Sequence, residues 1–219
     1  MYHTFKIYEF DMNPFLHDGW DLEIIEYVKK NANDIKIVPT DSITSRESED
    51  VKSISTLIVD GNQIRENFPW LFDLYQTKIL EYAIEFFNQE VFIASTDLYA
   101  LNFNVQKGTK MRYECHIDSN PIQGVLYVTE HKKGGELIVS ENSKAIGTQE
   151  IDENCKVISP KKGFLYLFSG EFFPHYVRTL IDDELRVSIP MNFYTKDNPE
   201  SNRPKDLNYH LFKKEDKYV

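Results

Sequence analysis

Cysteine is scarce in this 219-residue chain: Cys115 and Cys155 stand alone, in no spacing that suits a zinc site or a redox pair. Both read as ordinary half-buried thiols, and a reducing, cytoplasmic setting is the expectation. No apolar run approaches the ~20 residues that a helix needs to cross a membrane. The first fifteen residues lack the basic start and apolar stretch of a signal peptide. Basic charge is also short, with 25 Lys and Arg against 35 Asp and Glu and a net charge of -10. No basic stripe offsets this, so a phosphate backbone would be repelled and nucleic acid is not an expected partner. There is no repeat, low-complexity tract or Pro/Gly/Ser linker, so residues 1–219 are expected to form one domain.

What the chain does have is apolar and aromatic mass. Hydrophobic residues make up 41% of it, including 15 Phe and 13 Tyr, which rules out disorder as the main state. Residues 1–91 read as a helical lead-in and lid. Asp18-Gly19 precedes Trp20, Leu22, Ile24, Ile25 and Val28, the pattern of a short amphipathic helix ending at Lys29-Lys30. A second helix is expected after Asn67, a capping residue, and Pro69, with Leu71, Phe72, Tyr75, Ile79, Leu80 and Ala83 at helical spacing. Between the two, the polar stretch 39–50 reads as a mobile loop that would serve as a lid.

From Phe92 the period changes. Segments 98–106, 111–118, 122–130, 136–140, 155–159, 164–168, 175–180 and 185–194 are short, aromatic and β-branched, with turn residues between them. Such a series argues for a closed or double-layered antiparallel fold. The fold class expected is mainly β with N-terminal helices, the β core over 92–194 and a C-terminal tail over 195–219.

Two stretches carry chemistry. His116 and Asp118, two apart on a strand, share a face. The second stretch runs from Phe173 to Pro190 and reads as a hairpin with Asp182-Asp183 at its tip. That register sets Thr179 opposite Arg186, Val177 opposite Ser188 and His175 opposite Pro190, so His175, Arg186 and Ser188 fall on one face. His175 and Arg186 would then lie roughly 13 Å apart along the strand, a span that a small dicarboxylate can bridge. Two imidazoles and one carboxylate leave coordination positions open, the arrangement used for non-haem Fe(II) and O₂ chemistry. Arg186 suits the distal carboxylate of a 2-oxo acid, with Ser188 adding a hydroxyl.

On His116-Ile-Asp118, His175 and Arg186-Val-Ser188, residues 92–194 resemble the Fe(II)/2-oxoglutarate-dependent oxygenases. The resemblance implies a double-stranded β-helix (jelly-roll) core, with Fe(II) held by His116, Asp118 and His175. It also implies 2-oxoglutarate held by Arg186 and Ser188, with O₂ as co-substrate. The stretch His116–Thr129 with Gly134-Gly135-Glu136-Leu137 is similar to small enzymes that hydroxylate or chlorinate free amino acids such as lysine. Members that chlorinate are expected to carry Gly or Ala in place of the acid, so Asp118 implies hydroxylation. A peptidyl (prolyl-type) hydroxylase and a non-catalytic metal-binding β-barrel module are the alternatives.

For a small-molecule substrate, Asp97 is the candidate partner of an ammonium and Arg46 of a carboxylate. Asn192 continues the face of Arg186 and Ser188. His210, in an amphipathic tail expected to close the barrel mouth, is a further candidate near substrate. By alternation Tyr113 would point away from His116. His131 is assigned to an exposed hairpin loop without a role, and His3 and His17 to the lead-in.

Overall fold

The computed structural model describes residues 5–182 and 184–214; His3 and Asp183 lie outside them. The first half of the chain contains β1 (Ile7–Asp11), α1 (Trp20–Asn31), β2 (Asn33–Ile37), β3 (Ile54–Val59), α2 (Gly61–Asn67), α3 (Pro69–Leu74), α4 (Leu80–Phe87) and β4 (Val91–Ile93). The second half continues with α5 (Asp97–Ala100), β5 (Phe103–Lys107), β6 (Tyr113–His116), β7 (Ile122–Tyr127), β8 (Leu137–Ser140), α6 (Gly147–Glu153), β9 (Cys155–Ile158), β10 (Phe164–Phe168), β11 (His175–Val177), β12 (Leu185–Thr195) and α7 (Leu207–Phe212). All eight expected strand segments contain a strand. The lead-in differs from expectation: beside its helices it supplies β1, β2 and β3, which extend the larger sheet at both edges. β3, Ile-Ser-Thr-Leu-Ile-Val, is β-branched, and β2 alternates the buried Ile35 and Ile37 with exposed charge, so both carry a strand pattern, short and set between the two helical stretches.

Two antiparallel sheets face each other as a jelly roll. The larger runs β1-β10-β7-β12-β5-β3-β2, with β4 also on β12; the smaller runs β6-β11-β8-β9. β12 serves both sides of its sheet. Val187, Ile189, Met191 and Phe193 join the core under the helices, while Arg186, Ser188, Pro190 and Asn192 line the interior cavity between the sheets, as the two-residue period requires. β7 divides the same way, with Ile122 and Leu126 in the helical core and Gln123, Val125 and Tyr127 toward the cavity.

The hairpin expected between His175 and Pro190 does not form. β11 pairs with β6 and β8, and β12 pairs with β5, β7 and β4, so the two strands belong to different sheets. Residues 178–182 lead away from the smaller sheet, and β12 begins in the larger one at Leu185. β7 takes one edge of β12 and β5 the other, which leaves no edge for β11.

α1 forms as expected. Trp20, Ile24 and Val28 are buried at four-residue spacing, with acidic side chains in the first turn and Lys29 and Lys30 in the last, which suits the helix dipole. The second helix begins earlier than expected: Asp60 caps α2, and Asn67 ends it. α3 and α4 join through a π-turn over Tyr75–Ile79. There the buried Tyr75 hydroxyl donates to the Asn192 carbonyl on β12 and accepts from the Ala94 amide. The 39–50 stretch is tied down rather than free. Ser45 bridges His116, the Arg46 amide donates to the Cys115 carbonyl, and Glu47 pairs with Arg112. No helix among the described residues is long and apolar enough to cross a membrane.

Tyr75→Phe leaves a buried carbonyl and a buried amide without their partner. It is expected to cost about 1–3 kcal/mol of stability, read as a lowered midpoint in denaturant unfolding with the m-value unchanged.

Candidate metal centre

His116 on β6 stands directly opposite His175 on β11. Opposed residues of an antiparallel pair present their side chains to the same face, and the two rings lie with centroids 4.3 Å apart. Each imidazole is oriented from behind. Nδ1 of His116 donates to the carbonyl of Glu114, and Nδ1 of His175 to that of Phe173, both at 2.8 Å. Those bonds leave the Nε2 atoms aimed into the cavity, with lone pairs available to a metal. Asp118 follows two residues after β6, its amide donating to the Gly170 carbonyl. Its Oδ1 is 3.7 Å from Nε2 of His116 and 3.6 Å from Nε2 of His175.

The ligating atoms of His116, Asp118 and His175 all lie within 4.8 Å of one another, and this is the one such group among the described residues. Burial and the neighbouring His175 push the His116 imidazole below its ordinary value, which keeps it neutral. Burial also pulls His175 down, but the Asp118 carboxylate outweighs this and holds it up. Burial raises the Asp118 carboxyl while both histidines lower it, and the histidines prevail. Oδ2 of Asp118 is buried without a hydrogen-bond partner. A buried anion needs compensation; a divalent ion between the three side chains would supply it and would take the place of any proton on His175. The donor set fits such an ion.

The protein makes room for Asp118 at Gly170. A Cβ there would fall 1.8 Å from Oδ2, so only glycine allows the carboxylate its place. Ser169-Gly170 read in the sequence merely as a turn, and nothing in its spacing marked it as a support of the acid.

Arg186 projects from β12 into the same cavity and is 2% exposed. Its Nε donates to the Gly135 carbonyl at 2.8 Å and its Nη1 to Ser188 Oγ at 3.0 Å. Gly135 has φ +71, and a Cβ on it would meet Arg186 Cδ at 2.8 Å, so glycine serves both the turn and the close approach. Among the described residues no carboxylate forms an ion pair with Arg186. The cavity therefore joins two poles on opposing sheets: the His-Asp-His cluster on the smaller sheet and an uncompensated guanidinium on the larger.

The other candidates divide. Asn192 lines the cavity. Asp97 does not: both its carboxylate oxygens are taken by Arg65, at 2.8 and 3.0 Å. Arg46 is also elsewhere, its guanidinium donating to the carbonyls of Ile43 and Ser45. His210 is buried behind the cavity wall, Nε2 2.8 Å from Oε1 of Glu114, which does line the cavity. Tyr113 reverses its expected direction. A bulge in β6 shifts the register between His175 and Val177, which turns Tyr113 inward with its ring 5.3 Å from that of His116. His131 is buried, not exposed, and pairs with Glu184 at 2.7 Å. Glu114, Tyr113 and Arg203 all line the cavity; Glu114, two residues before His116, shares its face by alternation, while Tyr113 and Arg203 had no such signal.

Gly170→Ala is expected to displace Asp118 and weaken divalent-metal binding by about 10–100-fold, measured by titration with Ni(II), while far-ultraviolet circular dichroism stays that of the parent.

No family model and no curated protein matches the sequence. Solved structures do match. An oxidoreductase of the 2OG-Fe(II) oxygenase family from Burkholderia pseudomallei aligns with TM-score 0.61 and 13% identity over 90% of this chain and 89% of that one. A prolyl hydroxylase from Trichoplax adhaerens, in complex with a hypoxia inducible factor oxygen degradation domain peptide fragment, gives 0.57 and 16% over 89% and 84%. HygX from Streptomyces hygroscopicus, with nickel and 2-oxoglutarate bound, gives 0.56 and 11% over 87% and 83%. At such identities the likeness is one of fold: the chain has the jelly roll on which these oxygenases are built.

Proposed function

We propose that the chain is an Fe(II)/2-oxoglutarate-dependent dioxygenase that hydroxylates an unactivated C–H of a small polar substrate, a free amino acid such as lysine. The observation that carries this reading is the pairing, across one cavity, of the buried His116/Asp118/His175 cluster with the carboxylate-free guanidinium of Arg186. When bound, Fe(II) with 2-oxoglutarate and O₂ supplies the oxidation of the C–H bond, with succinate and CO₂ as co-products.

The chain's residues hold, orient and exclude water. Nε2 of His116, Nε2 of His175 and the carboxylate of Asp118 would hold the metal. Arg186 would take the distal carboxylate of 2-oxoglutarate, its fork held by Gly135 and Ser188. Leaving a buried cation alone is costly, so a dicarboxylate is a natural occupant. The side chains of Leu207, Leu211 and Phe212 bring an apolar wall to the cavity, which limits water and favours a small substrate over a long groove. Asn192 and Arg203 also stand at the wall, the Asn192 side-chain amide donating to the Tyr99 carbonyl and the Arg203 guanidinium lying 3.9 Å from the centre of the Tyr99 ring.

A peptidyl hydroxylase is the second reading. It is favoured by the fold likeness to the Trichoplax prolyl hydroxylase, whose structure holds a peptide fragment.

The test is succinate formation and a mass gain of one oxygen across the common free amino acids, beside end-blocked peptides carrying the same side chains. Turnover confined to the peptides would select the second reading; no turnover of 2-oxoglutarate under any condition would reject both. His175→Ala should abolish metal binding and turnover together. Arg186→Ala should keep the metal and raise the 2-oxoglutarate requirement ten- to hundredfold, the loss of a contact of about 1.5–3 kcal/mol. Because Asp118 supplies an anionic ligand, high chloride should yield hydroxylated product alone; a chlorinated product by mass spectrometry would contradict that assignment.

A further inference from the structure

Glu114 is the acid of the cavity wall that the His-Asp-His cluster leaves unused. It is 1% exposed. Its Oε1 is engaged by Nε2 of His210 at 2.8 Å, whereas Oε2 is buried without a hydrogen-bond partner. Buried carboxylate oxygens are nearly always satisfied, because an unmet acceptor carries the full cost of its desolvation. Glu114 belongs to the cavity wall, so a donor bound in the cavity that reached this oxygen would remove the cost.

The surroundings narrow what that donor is. His210 lies on α7, and the same short helix brings Leu207, Leu211 and Phe212 to the cavity. The carboxylate is thus set beside an apolar surface. That is the complement of a cation on an aliphatic stem. The cavity's guanidinium groups, Arg186 and Arg203, suit carboxylates and cannot serve a cation.

We propose that Glu114 seats the cationic nitrogen of the substrate, an alkylammonium or guanidinium, with the aliphatic stem of that substrate packed on α7. The proposal rests on the dioxygenase reading above and names the residue that selects its substrate. It replaces Asp97, whose carboxylate is consumed by Arg65. His210 is a positioning residue: by holding Oε1 it fixes the rotamer of the carboxylate.

The full chain loaded with Ni(II) and 2-oxoglutarate is titrated calorimetrically with L-lysine, L-arginine and L-norleucine, the last as the uncharged match for lysine. The wild type is expected to bind at least one basic amino acid tenfold or more tightly than L-norleucine. Glu114→Gln, which keeps the size and a hydrogen bond to His210, should weaken that binding about ten- to hundredfold and leave L-norleucine unchanged. Equal affinity of the wild type for L-norleucine and the basic amino acids overturns the proposal. So does wild-type affinity for the basic ligand in Glu114→Gln, or no binding of either basic amino acid. Should Glu114→Gln fail to fold by thermal melting, Glu114→Asp decides: its shorter carboxylate should weaken the basic ligand several-fold, and unchanged affinity overturns the assignment. Binding of Ni(II) and 2-oxoglutarate is measured first and without amino acid. Its failure in the wild type tells against the dioxygenase reading itself, and its persistence in both variants confines the effect to the substrate.

Discussion

Two imidazoles face each other across one rung of an antiparallel pair, and much of the interior is arranged around keeping their Nε2 atoms free and aimed at the same point. The backbone carbonyls of Glu114 and Phe173 take the Nδ1 protons. Gly170 gives up its side chain so that Asp118 can approach both rings. The 43–47 segment runs along the outer edge of β6, so the strand that carries His116 is held from both sides. A rung shifted by one residue would turn one ring out of the cavity and leave a buried carboxylate beside a single imidazole. The stability of the smaller sheet and the competence of the cluster are therefore one constraint.

The second pole is Arg186, and the jelly roll explains how it meets the first. Side chains from opposing sheets reach a common interior, so groups eleven residues apart in sequence approach from opposite walls rather than along one strand. Burial lowers the pKa of the guanidinium, yet such a group stays charged. The Tyr127 ring stands 5.2 Å from it, and among the described residues no carboxylate forms an ion pair with it.

Much of this was legible in the sequence, and the failures have physical causes. The eight core strands announced themselves through β-branched and aromatic runs, and the side chains that meet in the cavity through an acid two residues after a histidine and a second histidine before a strand with Arg and Ser alternating. The partners of those strands were not legible. A hairpin between His175 and Pro190 satisfies every local rule, and only the distant strands that take both edges of β12 and both edges of β11 reject it. Tyr113 was misdirected for a similar reason, since a bulge adds a residue that alternation cannot foresee. Asp97 and Arg46 were charges of the right sign whose partners, Arg65 and two backbone carbonyls, become visible only once distant segments meet. Glu114 lies two residues before His116 and so on its face; what the sequence did not show is that His210, from the distant α7, meets its carboxylate.

The two faces of β12 have a consequence for how this protein can change. Residues 187, 189, 191 and 193 answer to the helical core, and residues 186, 188, 190 and 192 to the cavity. Substitutions at even positions can retune what enters the cavity without loosening the packing beneath the helices, and substitutions at odd positions can do the reverse. Insertion or deletion of a single residue exchanges the two sets, sending arginine into an apolar core and valine into a polar chamber. Along this strand the chain can drift in composition but not in length.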